Sequence, residues 1–450
     1  MTISELDKAR IAIWGLGREG MSAYRFLRRC YPAKRLILVD RSPPKAALMA
    51  TDSRLDFVPE EKLSTLGDQI DVVIKSPGIS LYRDDIAQLE RQGVRVSSCT
   101  NLWFALDKPG KIIAITGSNG KSTTSSLLHH ILCTLGHKAL LGGNIGRPLL
   151  DLMEEPDARD AEYWVLELSS YQTADLKGRP DLAVLLNLFP EHIQWHGTHE
   201  TYYRDKMNLL RDDTVPALLN HKDALTRRYL AERKRVTWFN HPEGLHCRSG
   251  QLYHGDRILG ETDSFPLPGA HNRENLCAAL AVCEVLGLDP KVAFRAALDF
   301  RGLPHRLEPL GRLGRHYFYN DSIATTPEAT MAALNALDRP DMCLIAGGQD
   351  RQQDYRHLAR LITERNLHAV ITAYETGDRL YDCLKTQKYH GKLEKVLSLE
   401  QAVRRAVELT PAEGVILLSP AAPSYDAFRN YEQRGNMFRE AAKNVIGKTH

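Results

Sequence analysis

Lys111-Ile-Ile-Ala-Ile115 runs directly into Thr116-Gly-Ser-Asn-Gly-Lys-Ser-Thr123. The apolar, β-branched run predicts a buried strand, the glycines a tight turn, and the residues beyond them a helix. Amides of such a turn and of a helix start form a concave anion site. Lys121 is placed to reach the β- and γ-phosphates of a nucleotide, and the Ser122 or Thr123 hydroxyl to hold Mg²⁺. The strict phosphate-loop pattern wants a glycine five places before Gly120, where this chain has Ile115. The loop is a variant of that pattern. A chance Gly-Lys-Ser-Thr turn is the plain alternative, and the flanking strand and helix argue against it.

The same unit recurs on both sides. Arg10-Ile-Ala-Ile-Trp14 precedes Gly15-Leu-Gly-Arg-Glu-Gly20, and Met342-Cys-Leu-Ile-Ala346 precedes Gly347-Gly348. Strand, glycine turn and helix is the repeat of parallel α/β sheets. Val72–Ile74, Tyr163–Leu166, Ala183–Leu186 and Val415–Leu418 fit further buried strands. Asp107-Lys-Pro-Gly110 and Gly302-Leu-Pro304 suit domain joints. The expected fold is α/β in three domains: a Rossmann-like domain over 1–105, a central P-loop ATPase-like domain with a parallel sheet over 106–303, and a C-terminal Rossmann-like α/β domain over 304–450.

Gly15, Gly17 and Gly20 spell G-x-G-x-x-G, and Asp40 closes a second strand about twenty residues on. An NAD pyrophosphate on the helix with Asp40 on its ribose would fit, making the chain an NAD-dependent oxidoreductase. A nucleotide-diphosphate substrate would use the same geometry, and a purely structural turn is the bland option. The separate ATP loop favours a second nucleotide substrate over a hydride carrier.

Glu167 ends an apolar strand near the phosphate loop and suits a Mg²⁺ ligand; a solvent-facing strand residue is the alternative. His192 follows the strand containing Val184 to Asn187 and, as a lone histidine, is equally well structural. Lys206 by default reads as a surface lysine. Arg25-Phe-Leu-Arg28-Arg29 reads as a solvated helix face.

Composition excludes several classes. The 450 residues are 43% hydrophobic and 26% charged, with a net charge of +3, so nothing demands nucleic acid or a membrane surface. No apolar run approaches the ~20 residues that span a bilayer. The Met-Thr-Ile-Ser-Glu-Leu-Asp start lacks a signal pattern. Eight scattered cysteines without a C-x-x-C pair predict reduced thiols, not a disulfide framework or zinc site. A soluble, cytoplasmic protein is expected, without membrane insertion.

Thr116–Thr123, Gly142-Gly-Asn-Ile-Gly146, Leu166-Glu-Leu-Ser-Ser-Tyr-Gln172, Gly269-Ala-His-Asn-Arg-Glu-Asn275, Gly302-Leu-Pro-His-Arg306 and Leu418-Ser-Pro-Ala-Ala-Pro-Ser-Tyr-Asp426 occur in this order. Together they resemble the Mur ligases, and within them the glutamate-adding MurD type, over the whole chain. A folylpolyglutamate synthetase-like ligase of the same build is a more distant alternative. The resemblance implies an ATP-dependent ligase of peptidoglycan precursor synthesis, joining glutamate to UDP-N-acetylmuramoyl-L-alanine through an acyl phosphate. It implies that Gly117, Ser118, Asn119, Gly120, Lys121, Ser122 and Thr123 hold the ATP phosphates, with Asn275, Arg306 and Asp321 as further ATP contacts. Ser122 and Glu167 would hold one Mg²⁺ and His192 a second. Lys206 would be carbamylated and join the metal site, reversing its default reading. Gly17, Arg18, Asp40, Arg41 and Ser76 would bind the UDP moiety, and Asn144 and Ser169 the muramoyl-alanine region. Thr325, Arg351, Ser424 and Tyr431 would bind glutamate, and a monomer is expected.

The chain departs from the common pattern of that type at Ile323 and Arg351, where lysines are usual, at Tyr425 and Tyr431, and along Phe189-Pro-Glu-His-Ile-Gln-Trp-His196. These changes resemble an L-glutamate-adding branch rather than the D-glutamate-adding one. An epimerase acting downstream would then supply the D-isomer.

Overall fold

The computed structural model describes residues 3–447, with side chains through Val445; the outermost residues of the two expected end domains lie outside this range. Four sheets organise the described residues. The first is parallel, in the order β3-β2-β1-β4-β5: β1 (Ile11–Trp14), β2 (Leu36–Asp40), β3 (Leu55–Pro59), β4 (Val72–Lys75) and β5 (Arg95–Ser98). The second is also parallel, in the order β11-β10-β9-β6-β8-β7. Its strands are β6 (Lys111–Thr116), β7 (Ala139–Gly143), β8 (Tyr163–Glu167), β9 (Leu182–Leu185), β10 (Ala217–Asn220) and β11 (Val236–Phe239).

Every residue of β1, β4, β8, β9 and β10 is buried, as expected of parallel strands covered on both faces. The helices between them are amphipathic; Arg18–Cys30 buries Ala23, Phe26 and Leu27. Its arginines are not merely solvated. Arg25 pairs with Asp151 and Arg29 with Glu154, both at 2.6 Å, and Arg28 with Asp52 at 2.7 Å. The first two pairs tie the helix to the segment after β7.

A three-stranded antiparallel sheet, β12 (Leu245–Arg248), β13 (Gln251–His254) and β14 (Arg257–Glu261), has no counterpart in the sequence expectation. Its first turn carries the signal that marks it: Ser249 and Gly250 both have positive φ, at 49° and 76°, as a two-residue hairpin turn requires. The last sheet runs β15-β16-β20-β17-β18-β19: β15 (Glu308–Leu313), β16 (His316–Asn320), β17 (Met342–Ala346), β18 (Ala369–Thr372), β19 (Lys392–Lys395) and β20 (Val415–Leu418). Only the β15–β16 pair is antiparallel. The glycines after β17 lead through a loop to the helix Arg356–Glu364.

The chain packs into two compact units: the part up to Ser264 with Arg273–Leu298, and Phe265–Asn272 with the part from Asp299 onward. The first two sheets share the first unit and one continuous apolar core. Trp103 meets Trp164 edge-on at 5.3 Å, and Trp164 Nε1 donates to the Pro109 carbonyl at 2.7 Å. No helix among the described residues is long and apolar enough to cross a membrane.

Candidate active site

β6 lies between β8 and β9, so the loop after it opens where the strand order reverses, the usual ligand crevice of such sheets. Gly120, at φ +83°, caps the helix Lys121–Thr134. A Cβ on Gly120 would lie 2.4 Å from Asn275 Oδ1, which seats Asn275 against the loop. Lys121 Nζ folds back onto the carbonyls of Gly117 (2.8 Å) and Ser118 (2.6 Å). Ser122 and Thr123 stand in the first turn, whose amides lack partners within the helix.

Two loop residues are engaged inside the protein. The Ser118 amide donates to the Asn187 carbonyl at 3.0 Å. Its hydroxyl donates to the Phe189 carbonyl, accepts from the Phe189 amide, and meets Tyr202 Oη at 2.7 Å. Asn119 is clamped by Asn187, whose Oδ1 accepts the Asn119 amide at 2.8 Å while Nδ2 donates to its carbonyl at 3.1 Å. Asn187 thus shapes the loop, a role the sequence reading missed; an asparagine two places past a buried strand was the available signal.

Glu167 pairs in register with Ile115 and is fully buried. Asn144 Nδ2 donates to its Oε1 at 2.7 Å, and Oε2 has no hydrogen-bond partner. A buried, half-satisfied carboxylate is costly unless a cation completes it, so Glu167 fits a metal ligand. Lys206 is not the surface lysine of the default reading. It is 1% exposed, donates to the Gly117 carbonyl at 2.9 Å, and sits over the Tyr202 ring at 5.0 Å. Burial, and then the Lys121 charge, hold its amine well below the ordinary lysine range, which eases loss of its proton.

His192 begins a short helix at positive φ (55°) and is half-exposed, with its ring 5.1 Å from Tyr171. Burial lowers its pKa. Among the described residues no three His, Cys, Asp or Glu side chains converge on one point.

A buried polar chain backs this region. His196 Nδ1 meets Asp205 Oδ2 at 2.7 Å and its Nε2 meets Ser170 Oγ at 3.0 Å. Tyr82, from the first sheet's loops, donates to Asp205, the neighbour of Lys206, at 2.7 Å. Ser80 Oγ donates to the Trp195 carbonyl at 2.6 Å, and Trp195 stacks on Tyr171 at 4.7 Å. Ser170 and Tyr171 stand in the quoted Leu166–Gln172 motif and Trp195 and His196 in the Phe189–His196 run, but these contacts, and the parts of Ser80, Tyr82 and Asp205, arise from convergence across the fold. Ser169 closes a capping box with Gln172.

At the first glycine loop, Gly15 has φ +88°, and a Cβ on Gly20 would lie 1.9 Å from the Gly15 carbonyl oxygen. Only glycine fits at Gly20. Asp40 accepts the Leu16 amide at 2.5 Å and the Arg41 amide at 2.7 Å. Ser76 Oγ donates to the Gly15 carbonyl at 2.6 Å. Gly17 faces open space, Arg41 pairs with Glu60 at 2.8 Å, and Arg18 reaches the Gly146 carbonyl beside Asn144.

In the second unit, Asp321 accepts from the Leu307 amide (2.9 Å) and Ser419 Oγ (2.8 Å), and burial pushes its pKa up to about 7. Arg306 Nε is buried without a partner. Arg434, 1% exposed, binds the carbonyls of Ser322, Ala422 and Pro423, joining the segments that carry Thr325 and Ser424. Gln353 donates to the Thr325 carbonyl at 2.9 Å. Ser424 is buried, Tyr431 lies 6.1 Å from His305, and exposed Arg351 lies 5.9 Å from the Tyr425 ring.

The family pattern described as "Mur ligase middle domain" matches residues 115–283, and "Mur ligase, glutamate ligase domain" matches 305–422. A protein of Xanthomonas oryzae pv. oryzae named UDP-N-acetylmuramoyl-L-alanine--L-glutamate ligase is 40% identical, over 98% of this chain and 97% of that one. One of the same name from a Micromonospora strain is 40% identical over 99% of both. Among solved structures, MurF of Acinetobacter baumannii matches with a TM-score of 0.62 at 17% identity, covering 98% of this chain and 93% of that one. UDP-N-acetylmuramate-alanine ligase MurC of Thermotoga maritima matches at 0.59 and 17%, covering 97% and 99%. Those two likenesses show a shared fold. With both domain patterns in place and full-length relatives at 40% identity, the chain belongs to the Mur ligase family.

Proposed function

We propose that this protein is an ATP-dependent ligase that joins L-glutamate to UDP-N-acetylmuramoyl-L-alanine through an acyl phosphate. The observation that carries the proposal is the 40% identity, end to end, to proteins named for that reaction with the L-isomer. The departures at Ile323, Arg351, Tyr425 and Tyr431 support it. Inverting the amino-acid stereocentre moves its carboxylates relative to the attacking amine, so the groups that clamp them must move too. Arg351 offers a planar bidentate donor where a lysine offers a point charge, and the tyrosines add hydroxyl donors.

The chain's own residues suit phosphoryl transfer from ATP to a carboxylate. First-turn amides and Lys121 would bind the phosphates and spread the charge that develops during transfer. Asn275 holds the loop from one side and Asn187 from another. Mg²⁺, held by Glu167, His192 and Ser122, would neutralise phosphate charge when bound. The Lys206 amine, whose pKa burial lowers, would in its unprotonated form add to the carbon of CO₂; a C–N bond forms, one C=O π bond opens and a proton is lost, and the carbamate would bring an anion to the metal site. Asp40 and Ser76 shape the first glycine loop for a uridine diphosphate, with Arg18 and Arg41 as cations for it, and Asn144 and Ser169 face the muramoyl-alanine end. Thr325, Arg351, Ser424 and Tyr431 would receive glutamate. A monomer working in the cytoplasm on nucleotide-linked substrates fits this chemistry. An epimerase acting on the product would supply D-glutamate downstream.

Phosphate release should require ATP, the muramoyl-alanine nucleotide and glutamate together. End-point assays with each pure enantiomer should give product with L-glutamate. Robust ligation of D-glutamate alone would overturn the isomer assignment.

A further inference from the structure

Cys247 on β12 and Cys277 in the helix Ala270–Val285 bring their sulfurs to 3.5 Å. Cys247 is partly exposed, whereas Cys277 is fully buried. Cys247 also contacts the Arg273 carbonyl, at 3.9 Å. All of these residues lie in the first unit. Two positions before Cys277 stands Asn275, the residue seated against Gly120 of the phosphate loop.

We propose that Cys247 and Cys277 form a redox-active dithiol which a peroxide-class oxidant closes to a disulfide, and that closure displaces Asn275 from the nucleotide loop. Solvent can reach Cys247, and a second thiol already lies in van der Waals contact behind it. The two sulfurs have distinct roles. The hydrogen bond from Cys277, with the Lys222 and Arg273 charges nearby, holds Cys247 below the ordinary thiol range. The same bond and burial push Cys277 well above it. The more exposed Cys30 and Cys133 are both raised by burial, so exposure alone does not select them. A thiol of lowered pKa that solvent can reach, with a second thiol in contact, is the reactive kind.

The chemistry balances. The Cys247 thiolate attacks a peroxide oxygen; an S–O bond forms, the O–O bond breaks, and hydroxide leaves and takes a proton to become water. The Cys277 sulfur then attacks the resulting sulfenic acid. An S–S bond forms, the S–O bond breaks, and the thiol proton leaves with the hydroxyl as a second water. Two thiols lose two electrons in all, and one peroxide gains them.

Bond formation requires the sulfurs to close by about 1.5 Å, from 3.5 Å to the ~2.05 Å of a disulfide. That movement draws on the helix carrying Asn275. Displacements of about 1 Å can cost on the order of 10²-fold in a well-fitted site. The nucleotide half of the proposal rests on the proposed function; the cross-link half does not.

The full-length protein would be treated with equimolar hydrogen peroxide, its remaining thiols alkylated, and its peptides mapped by mass spectrometry. The expected result is a Cys247–Cys277 cross-linked peptide appearing before modification of Cys30 or Cys133. ADP affinity by calorimetry should fall about tenfold or more and return with dithiothreitol. Cys247→Ser should keep ADP affinity and ignore peroxide. Alkylation of both Cys247 and Cys277 after peroxide treatment overturns the dithiol, and unchanged ADP affinity in fully cross-linked protein overturns the coupling. Untreated protein that binds no ADP overturns the nucleotide reading, while the peptide map still decides the cross-link.

Discussion

Asn144 Nδ2 donates to Glu167 Oε1 at 2.7 Å, and the other oxygen of the same buried carboxylate has no hydrogen-bond partner. One bond orients the group and leaves one lone-pair face for a cation. Glu167→Gln keeps the shape and an oxygen for Asn144 while removing the charge. Turnover is predicted to fall on the order of 10²-fold, with Tm unchanged or higher because a buried charge is gone. Phosphate release and scanning calorimetry at matched Mg²⁺ check both; near-normal turnover would remove Glu167 from the metal site.

Lys206 gives a pH signature. Its folded pKa lies well below the unfolded value of 10.5, so between the two the unfolded chain binds more protons and stability rises with pH. Lys206→Met keeps the buried stem without the amine. In CO₂-depleted buffer it is predicted to raise Tm at pH 7, with the gain shrinking toward pH 10, and in bicarbonate-supplied buffer to lower turnover by about 10²-fold. A gain that grows with pH contradicts the buried neutral amine.

Asn187→Ala removes both side-chain bonds to Asn119. At ~1 kcal/mol net per bond, stability should fall by about 1–3 kcal/mol. ATP affinity should fall about tenfold (~1.4 kcal/mol) as the loop loses its shape. Urea titration and calorimetry measure the two effects, and unchanged ATP affinity would show that the loop holds its form without the clamp.

Asp40→Ala takes away the acceptor for the Leu16 and Arg41 amides. Binding of the muramoyl nucleotide is predicted to weaken about tenfold, with ATP affinity held within a few-fold, since ~1–3 kcal/mol is the cost of orphaning such donors. Tight NAD binding with none for UDP-sugars would reverse the assignment of this loop.

The parallel strands were legible because they are buried on both faces and read as continuous apolar runs, as in Tyr163–Leu166. The antiparallel hairpins were not; β12 to β14 are short, partly exposed strands whose signal sits in their turns. Glycine positions in the phosphate loop were legible, but the internal engagement of Ser118 depends on Asn187, Phe189 and Tyr202, about seventy residues away or more. Lys206 was hidden for a related reason. Its helix, His-Glu-Thr-Tyr-Tyr-Arg-Asp-Lys-Met, has little apolar periodicity, and only packing against Tyr202 and Gly117 makes that lysine interior.

β6 pairs with β8 and β9, and the next strand in sequence, β7, lies beyond β8. During synthesis, at about 5–20 residues per second, β6 has both of its flanking strands only once Leu185 has followed it. A nucleotide bound at this loop, as proposed, would find its site only after that point. It would stabilise the finished sheet, by mass action on the folded state. Substitutions that weaken β6 will be felt as lost yield in the cell, and adding nucleotide to the surviving protein will make them look milder than they are.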